Sequence, residues 1–385
     1  MTSFLVFTVL VLIGIAVWQL TKIFDLTQVG GVADDSEIAN DKDNSVNGYL
    51  MFAFVGFIYV FTIYSLYAWG DLVLGTPASE HGKDVDSLMA ISMALIFFVQ
   101  TITQFLLHYF AFKYRGKEGQ KALYFADNNK LEAIWTIIPV IVLAGLILYG
   151  LYTWNNIMFV DEEDKQDAIV IELYAKQFGW EARYAGDDKT LGKANVRLIE
   201  GINTLGVDLA DPAAQDDKVV TELHLPVGKK VIFKMRSQDV LHSAYMPHFR
   251  AQMNCVPGMI TQFSFTPTVT TADMRNDVAI IAKVDKINKI RSKNSKKIVA
   301  EGGTALDTYT FDYLLLCNKI CGASHYNMQM KIVVDTPSDF KKWLNEKPTL
   351  AQQWKEANAP APVAAPVSSP AVAVDTTKVL AQVIK

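Results

Sequence analysis

The sequence predicts a membrane-anchored protein with about four transmembrane α-helices followed by an all-β sandwich outside the membrane. Three observations predict it. Apolar residues crowd the first 155 positions, in four runs near the length of about 20 residues that a bilayer crossing needs. From about residue 160 the texture changes to short β-rich runs separated by Gly, Pro and Asp. The whole chain of 385 residues is 51% hydrophobic with a mean hydropathy of +0.17, high for a soluble protein.

The four apolar runs begin at Phe4 ("FLVFTVLVLIGIAVWQL"), Tyr49, Ser87 and Ile134. Trp18, Trp69, Trp135 and Trp154 lie near run ends, where interfacial aromatic belts belong. The first run lacks a preceding Lys or Arg and a following A-x-A pattern, so it reads as a retained span, not a signal peptide. The connection between the third and fourth runs carries Lys113, Arg115, Lys117, Lys121 and Lys130, which places it in the cytoplasm. The acid-rich loop before the third run and the "DEED" at Asp161 to Asp164 then lie outside. Parity puts Lys22 to Gly48 inside. That stretch is acidic, but Asp and Glu weigh little in this rule. Residues 1–70 are thus two N-terminal spans and 71–159 a transmembrane hairpin.

Residues 160–345 carry the sandwich, in runs such as "AIVIELYAKQFGWEARY", "HLPVGKKVIFKM" and "TYTFDYLLLC". A lysine-rich insertion at 271–307 reads as a basic β-hairpin, either a solvated protrusion or a docking surface for a partner. Residues 346–385 read as a tail, with Ala/Pro/Val low complexity from Ala359. The formal charge of −4 argues against a nucleic-acid partner.

The chemistry concentrates in "CNKICGASHYNMQM", from Cys317 to Met330. It holds Cys317, Cys321, His325 and Met328 in the spacing C-x3-C-x3-H-x2-M, and His242 stands upstream in "DVLHSAYMP". One copper in a sandwich needs a thiolate, two imidazoles and a weak thioether. Two thiolates with two imidazoles also suit structural zinc, though zinc gives Met328 no role and C-x3-C is less usual for it than C-x2-C. Buried cysteines without metal are the bland alternative. Two sulfurs, two imidazoles and a thioether together suit two coppers bridged by both thiolates.

C-x3-C-x3-H-x2-M after an upstream D-V-x-H-S resembles the CuA site of cytochrome c oxidase subunit II. "LEAIWTIIP" from Leu131, "KQFGWEARY" from Lys176 and "CVPGM" from Cys255 are similar to further segments of that family. The resemblance implies a cupredoxin-like CuA domain behind a transmembrane hairpin of the subunit II type. It implies that Cys317 and Cys321 bridge two coppers, that His242 and Met328 complete one, and that His325 and the Lys319 carbonyl complete the other. Glu132 matches a carboxylate at the entrance of a proton path into the catalytic subunit, although a helix-start glutamate also suits the macrodipole there. The implied function is electron input to an aerobic respiratory oxidase of the bacterial inner membrane, with the CuA domain on the periplasmic side. Electrons from a reduced cytochrome c-type donor pass to haem in the partner subunit, where oxygen is reduced to water with proton pumping. Subunits I and III are the implied partners. The rivals are a structural zinc-binding membrane or assembly protein, a nitrous oxide reductase-like CuA domain, and a quinol-oxidase subunit that has lost its copper.

Two residues depart from the family. Lys319 replaces a Glu whose side chain reaches a magnesium ion at the subunit boundary, which puts that magnesium in doubt. Phe178 stands where the family has an electron-accepting surface Trp, and Trp180 is retained beside it. Together with the basic insertion, this points to a membrane- or complex-bound donor. No C-x-x-C-H is present, so no fused haem c module is expected. His81, His108, His224 and His248 receive no role, although a place for His248 on the face toward the partner subunit is open.

Overall fold

The computed structural model describes residues 2–28, 40–70 and 75–359. Four helices come first: α1 (Thr2–Gln28), α2 (Asp41–Trp69), α3 (Gly82–Lys113) and α4 (Asn129–Met158). Three of them, α2, α3 and α4, are long and apolar enough to cross a membrane. The described apolar stretch of α1, Val6–Thr21, is shorter than a full span, so the described residues hold three clear spans where about four were expected. The large apolar side chains along these helices are exposed, as a lipid-facing surface requires. Helices α2 and α3 run antiparallel. Gly48 admits the Phe112 ring, which a Cβ would meet at 2.6 Å, and the Glu118 amide donates to Asp41 at 2.8 Å. The start of α2 and the basic end of α3 therefore share one side, in accord with the cytoplasmic assignment of both.

A short helix α5 (Glu162–Asp167) leads into the sandwich. Its strands are β1 (Ile169–Lys176), β2 (Gly179–Tyr184), β3 (Lys218–Val220), β4 (Leu223–Pro226) and β5 (Val231–Ser237), then β6 (His242–Met246), β7 (Ala251–Cys255) and β8 (Thr261–Phe265). After α6 (Thr271–Arg275) and α7 (Val278–Ala300) come β9 (Tyr313–Cys317), β10 (Gln329–Asp335), α8 (Pro337–Asn345) and α9 (Leu350–Ala357). One sheet has the order β3-β2-β1-β5-β8, the other β4-β10-β9-β6-β7. The core between them is formed by fully buried side chains such as Ile171, Leu173, Phe233, Phe249, Phe265, Tyr313 and Leu315.

Within the first sheet Glu172 is buried and receives both Arg183, at 2.6 Å, and Arg236. Arg183 also donates to Asp217 at 2.7 Å and to the Gly192 carbonyl at 2.8 Å. Buried charges survive only with such partners.

The sandwich is tied to the outer end of α3. Arg250 makes a two-nitrogen ion pair with Asp86 at 2.7 and 2.9 Å, its Nη2 also donates to the Gly75 carbonyl at 2.7 Å, and its Nη1 donates to the Pro247 carbonyl at 2.9 Å. The Ala78 amide donates to the His248 carbonyl at 2.7 Å, and the Ser79 hydroxyl to the Phe249 carbonyl at 2.7 Å.

The insertion departs from expectation: it is a helix, not a β-hairpin. Val and Ile suit strands, but "VAIIAKVDKINKIRSKNSKKIVA" has no Gly or Pro to turn a hairpin. Ile280, Val284, Ile287, Arg291 and Ile298 recur at helical spacing on its covered face. Asp277 caps it by accepting from the Ala279 and Ile280 amides. The structured chain also runs past residue 345. Helix α9, closed by a Thr349–Gln352 capping box, buries Leu350 and Ala351. Residues 360–385, most of the expected low-complexity tail, lie outside the described residues.

Candidate metal centre

Adjacent strands assemble the site. β9 ends at Cys317 and β10 begins at Gln329, so the loop between them is the "CNKICGASHYNM" segment. β6 pairs with β9 on its other side, with Ala244 opposite Cys317, which sets His242 at the mouth of the loop. The Asn318 amide donates to the Ser243 carbonyl at 3.0 Å, and the Cys317 amide to the Met328 carbonyl at 3.1 Å, pinning the loop at both ends. Gly322 has φ +142°, and a Cβ there would lie 2.8 Å from the Phe178 ring, so only glycine fits.

The donor atoms converge. The Cys317 and Cys321 sulfurs are 3.9 Å apart, nearly twice the length of a disulfide bond of about 2.05 Å. A metal held to each sulfur at about 2.3 Å fits between them. His242 Nδ1 lies 3.7 Å from Cys317 Sγ, and Met328 Sδ lies 3.8 Å from Cys321 Sγ. His325 Nδ1 lies 3.6 Å from Cys321 Sγ, and the Lys319 carbonyl 3.2 Å from Cys317 Sγ. His242, Cys321 and Met328 are buried, Cys317 and His325 half-buried, while Lys319 is exposed. The six candidate ligand residues singled out in the sequence are therefore together, with the carbonyl of Lys319 turned to the sulfurs. Burial and the neighbouring Cys317 sulfur push the Cys321 thiol up to about 11. A pair of thiolates this close calls for a cation between them.

Cys255, the third cysteine, sits opposite His242 in the β6–β7 pairing, and burial pushes its thiol up to about 12. A buried, protonated thiol of this kind is inert packing, not a ligand.

Two supporting residues were not singled out from sequence. Asp239 accepts from His242 Nε2 at 2.8 Å, which leaves Nδ1 for the metal side. Partial burial alone would raise the Asp239 carboxyl, but hydrogen bonds from His242, Gln177 and Val240 outweigh it and hold it below the usual range. Asp239 opens the D-V-x-H-S segment, so its i, i+3 spacing to His242 was a usable signal. The Gln177 side chain donates to the Cys321 carbonyl, across a sequence separation that no local pattern reveals.

Phe178 is 39% exposed and rests on Gly322 of the loop. Trp180 is 5% exposed and meets the His242 ring edge-on at a centroid distance of 6.3 Å. Glu132 is exposed in the first turn of α4, far along the chain from this cluster. His248 is turned toward the insertion: its ring lies edge-on to Phe311 and Tyr313, beside a cavity that α7 also lines.

The family descriptions "Cytochrome C oxidase subunit II, transmembrane domain" and "Cytochrome C oxidase subunit II, periplasmic domain" match residues 66–153 and 169–273. The second match stops just before α7. The chain is similar to the alternative cytochrome c oxidase subunit 2 of Bradyrhizobium diazoefficiens, 32% identical over 294 residues, covering 76% of this chain and 88% of the relative. It is 24% identical over 305 residues to cytochrome c oxidase subunit 2 of Thermostichus vulcanus, covering 72% of this chain and 80% of that one. Among solved structures, the periplasmic domain of cytochrome oxidase subunit II of Bradyrhizobium japonicum is 18% identical. It covers 46% of this chain and 91% of that one, with a TM-score of 0.26, too slight a likeness to argue from. On the 32% identical relative and the two family matches, the chain belongs to the cytochrome c oxidase subunit II family: a membrane-anchored subunit of an oxidoreductase complex, with its sandwich on the periplasmic side.

Proposed function

We propose that this chain accepts electrons through a binuclear copper centre and passes them to haem in the catalytic subunit, where oxygen is reduced to water and protons are pumped. The observation that carries this is the donor set around two sulfurs 3.9 Å apart: the His242 imidazole and the Lys319 carbonyl lie beside the Cys317 sulfur, and the His325 imidazole and the Met328 thioether beside the Cys321 sulfur. Cys317, Cys321, His242, His325, Met328 and the Lys319 carbonyl would hold the coppers, which would supply a one-electron carrier. The protein's part is to hold the ligands still: β6, β9 and β10 pin both ends of the loop, so little geometry changes with oxidation state. A single zinc would leave Met328 and the Lys319 carbonyl without a use.

Phe178, exposed on the copper loop, is the proposed contact for the donor, and Trp180 the ring behind it against His242. Glu132 is the proposed mouth of the proton path on the cytoplasmic side. The subunits proposed to cover this chain are the catalytic subunit I and subunit III. The Lys319 ammonium, exposed at the loop, takes over some of the divalent charge of the boundary magnesium.

Metal analysis and EPR of the purified oxidase test the copper reading. Two coppers per chain with a seven-line spectrum are expected, and one zinc without a copper signal would overturn it. Manganese-substitution EPR tests Lys319: a weakened boundary manganese signal is expected, and a normal high-affinity signal would sink the built-in-cation reading.

A further inference from the structure

The insertion helix α7 has a purpose that the copper site does not absorb. Its covered face is fully engaged. Ile280 is buried, Val284 and Ile287 are half-buried, and the segment before β9 runs back along the helix. Asn288 exchanges hydrogen bonds with the Tyr309 backbone at 3.0 and 2.8 Å. Arg291 donates to the Asp307 carbonyl at 2.8 Å, and the Ser295 hydroxyl accepts from the Leu306 amide at 2.8 Å.

The opposite face is a lysine stripe. Lys283, Lys286, Lys289, Lys293, Lys296 and Lys297 are all exposed, and at 3.6 residues per turn they fall within an arc of about 140°. Asp285 is the helix's only acid, and among the described residues none of the six lysines is within ion-pair distance of a carboxylate. Two large apolar residues share the stripe, Val278 at 82% exposed and Ile290 at 62%.

The start of this face sits beside the membrane spans. Asp277, the cap of α7, accepts from the Thr76 hydroxyl at 3.0 Å. Lys283 and Lys286 line one cavity with Gly75 and His248. Gly75 and Thr76 belong to the link that enters α3, and Arg250 clamps that link to Asp86 in the first turns of α3. The lysines thus start at the outer mouth of the spans, where lipid headgroups begin.

We propose that α7 lies on the outer leaflet, its lysine face bound to anionic phospholipid headgroups with Val278 and Ile290 dipping between them. Long lysine stems reach along such a boundary while their ammonium groups stay at the phosphates. The contact would fix the tilt of the sandwich, and so the approach to the copper loop, without using any copper ligand.

The test is lysine footprinting of the intact oxidase in nanodiscs. A water-soluble acylating ester is applied in discs of phosphatidylcholine alone and in discs with phosphatidylglycerol added, and each lysine is quantified by mass spectrometry. Lys286, Lys289, Lys293 and Lys297 should react about fivefold more slowly in the anionic discs. High salt should abolish the difference, and Lys193 and Lys341 on the sandwich should not respond. Equal, fast reaction in both discs overturns the proposal. Equal protection in both discs overturns it too, and assigns the stripe to a partner subunit. Protection that appears only on adding the reduced electron donor overturns it in favour of an acidic protein.

Discussion

Replacing Asp239 by Asn tests whether the carboxylate behind His242 sets the strength of the metal centre. Asp239 accepts from His242 Nε2 at 2.8 Å and from the Gln177 and Val240 amides at 2.8 and 2.7 Å. Asn keeps the size and one acceptor oxygen but removes the charge. A hydrogen bond to a charged group contributes about 1.5–3 kcal/mol against about 1 for a neutral one. The side chain is 30% exposed, so solvent screens part of the difference. A loss near 1.4 kcal/mol corresponds to about tenfold weaker copper binding, the low end of the 10–100-fold typical of such supporting residues. Asp239→Ala, which also strands two backbone amides, should approach the upper end. The assay is chelator competition on the purified oxidase, with thermal unfolding of the metal-free protein as control. Wild-type copper affinity in both variants would refute the reasoning. A loss of affinity matched by an equal loss of metal-free stability would do the same.

Met328→Leu keeps the volume of a residue 2% exposed, so it should cost less than about 1.5 kcal/mol of stability yet alter the copper EPR spectrum. An unchanged spectrum would remove Met328 from the ligand set. Glu172→Leu leaves Arg236 without a carboxylate and Arg183 with Asp217 alone in the first sheet and should destabilise the outer domain by about 3 kcal/mol, read by denaturant unfolding. Burial first, then the Lys283 and Arg250 charges, push His248 down to about 4. Its folded value lies below the unfolded one near 6.5, so the unfolded chain binds the extra proton. Stability should be full above about pH 6.5 and fall by up to about 3 kcal/mol as pH drops toward about 4. Melting temperatures across this range check it, and His248→Phe should flatten that part of the slope.

The candidate metal loop was legible because four of its donor residues are local: C-x3-C-x3-H-x2-M needs only one loop between two strands. His242 was legible as a residue type in a motif, but its distance from Cys317 depends on β6 pairing with β9. Asp239 was visible in the same motif without its role, and Gln177 carried no signal, because its partner, the Cys321 carbonyl, is remote in the chain. The alternation of "HLPVGKKVIFKM" correctly marked two strands. It did not reveal that β4 and β5 lie in different sheets, since period two reports which face is buried and not which neighbour is paired. The insertion was misread because β-branched residues suit strands, while the deciding fact is that tertiary packing rewards a helical stripe. Ile280, Val284 and Ile287 are covered only when the chain winds.

The sequence by itself determined the membrane anchor, the sandwich class and the donor atoms, because these follow from hydrophobic length, alternation and ligand chemistry that nearby residues carry. Tertiary structure alone decided how those donors face one another, which carboxylate orients His242, and where the lysines of α7 point. Each of these depends on distances between segments remote in the chain, and strand pairing and side-chain packing set such distances.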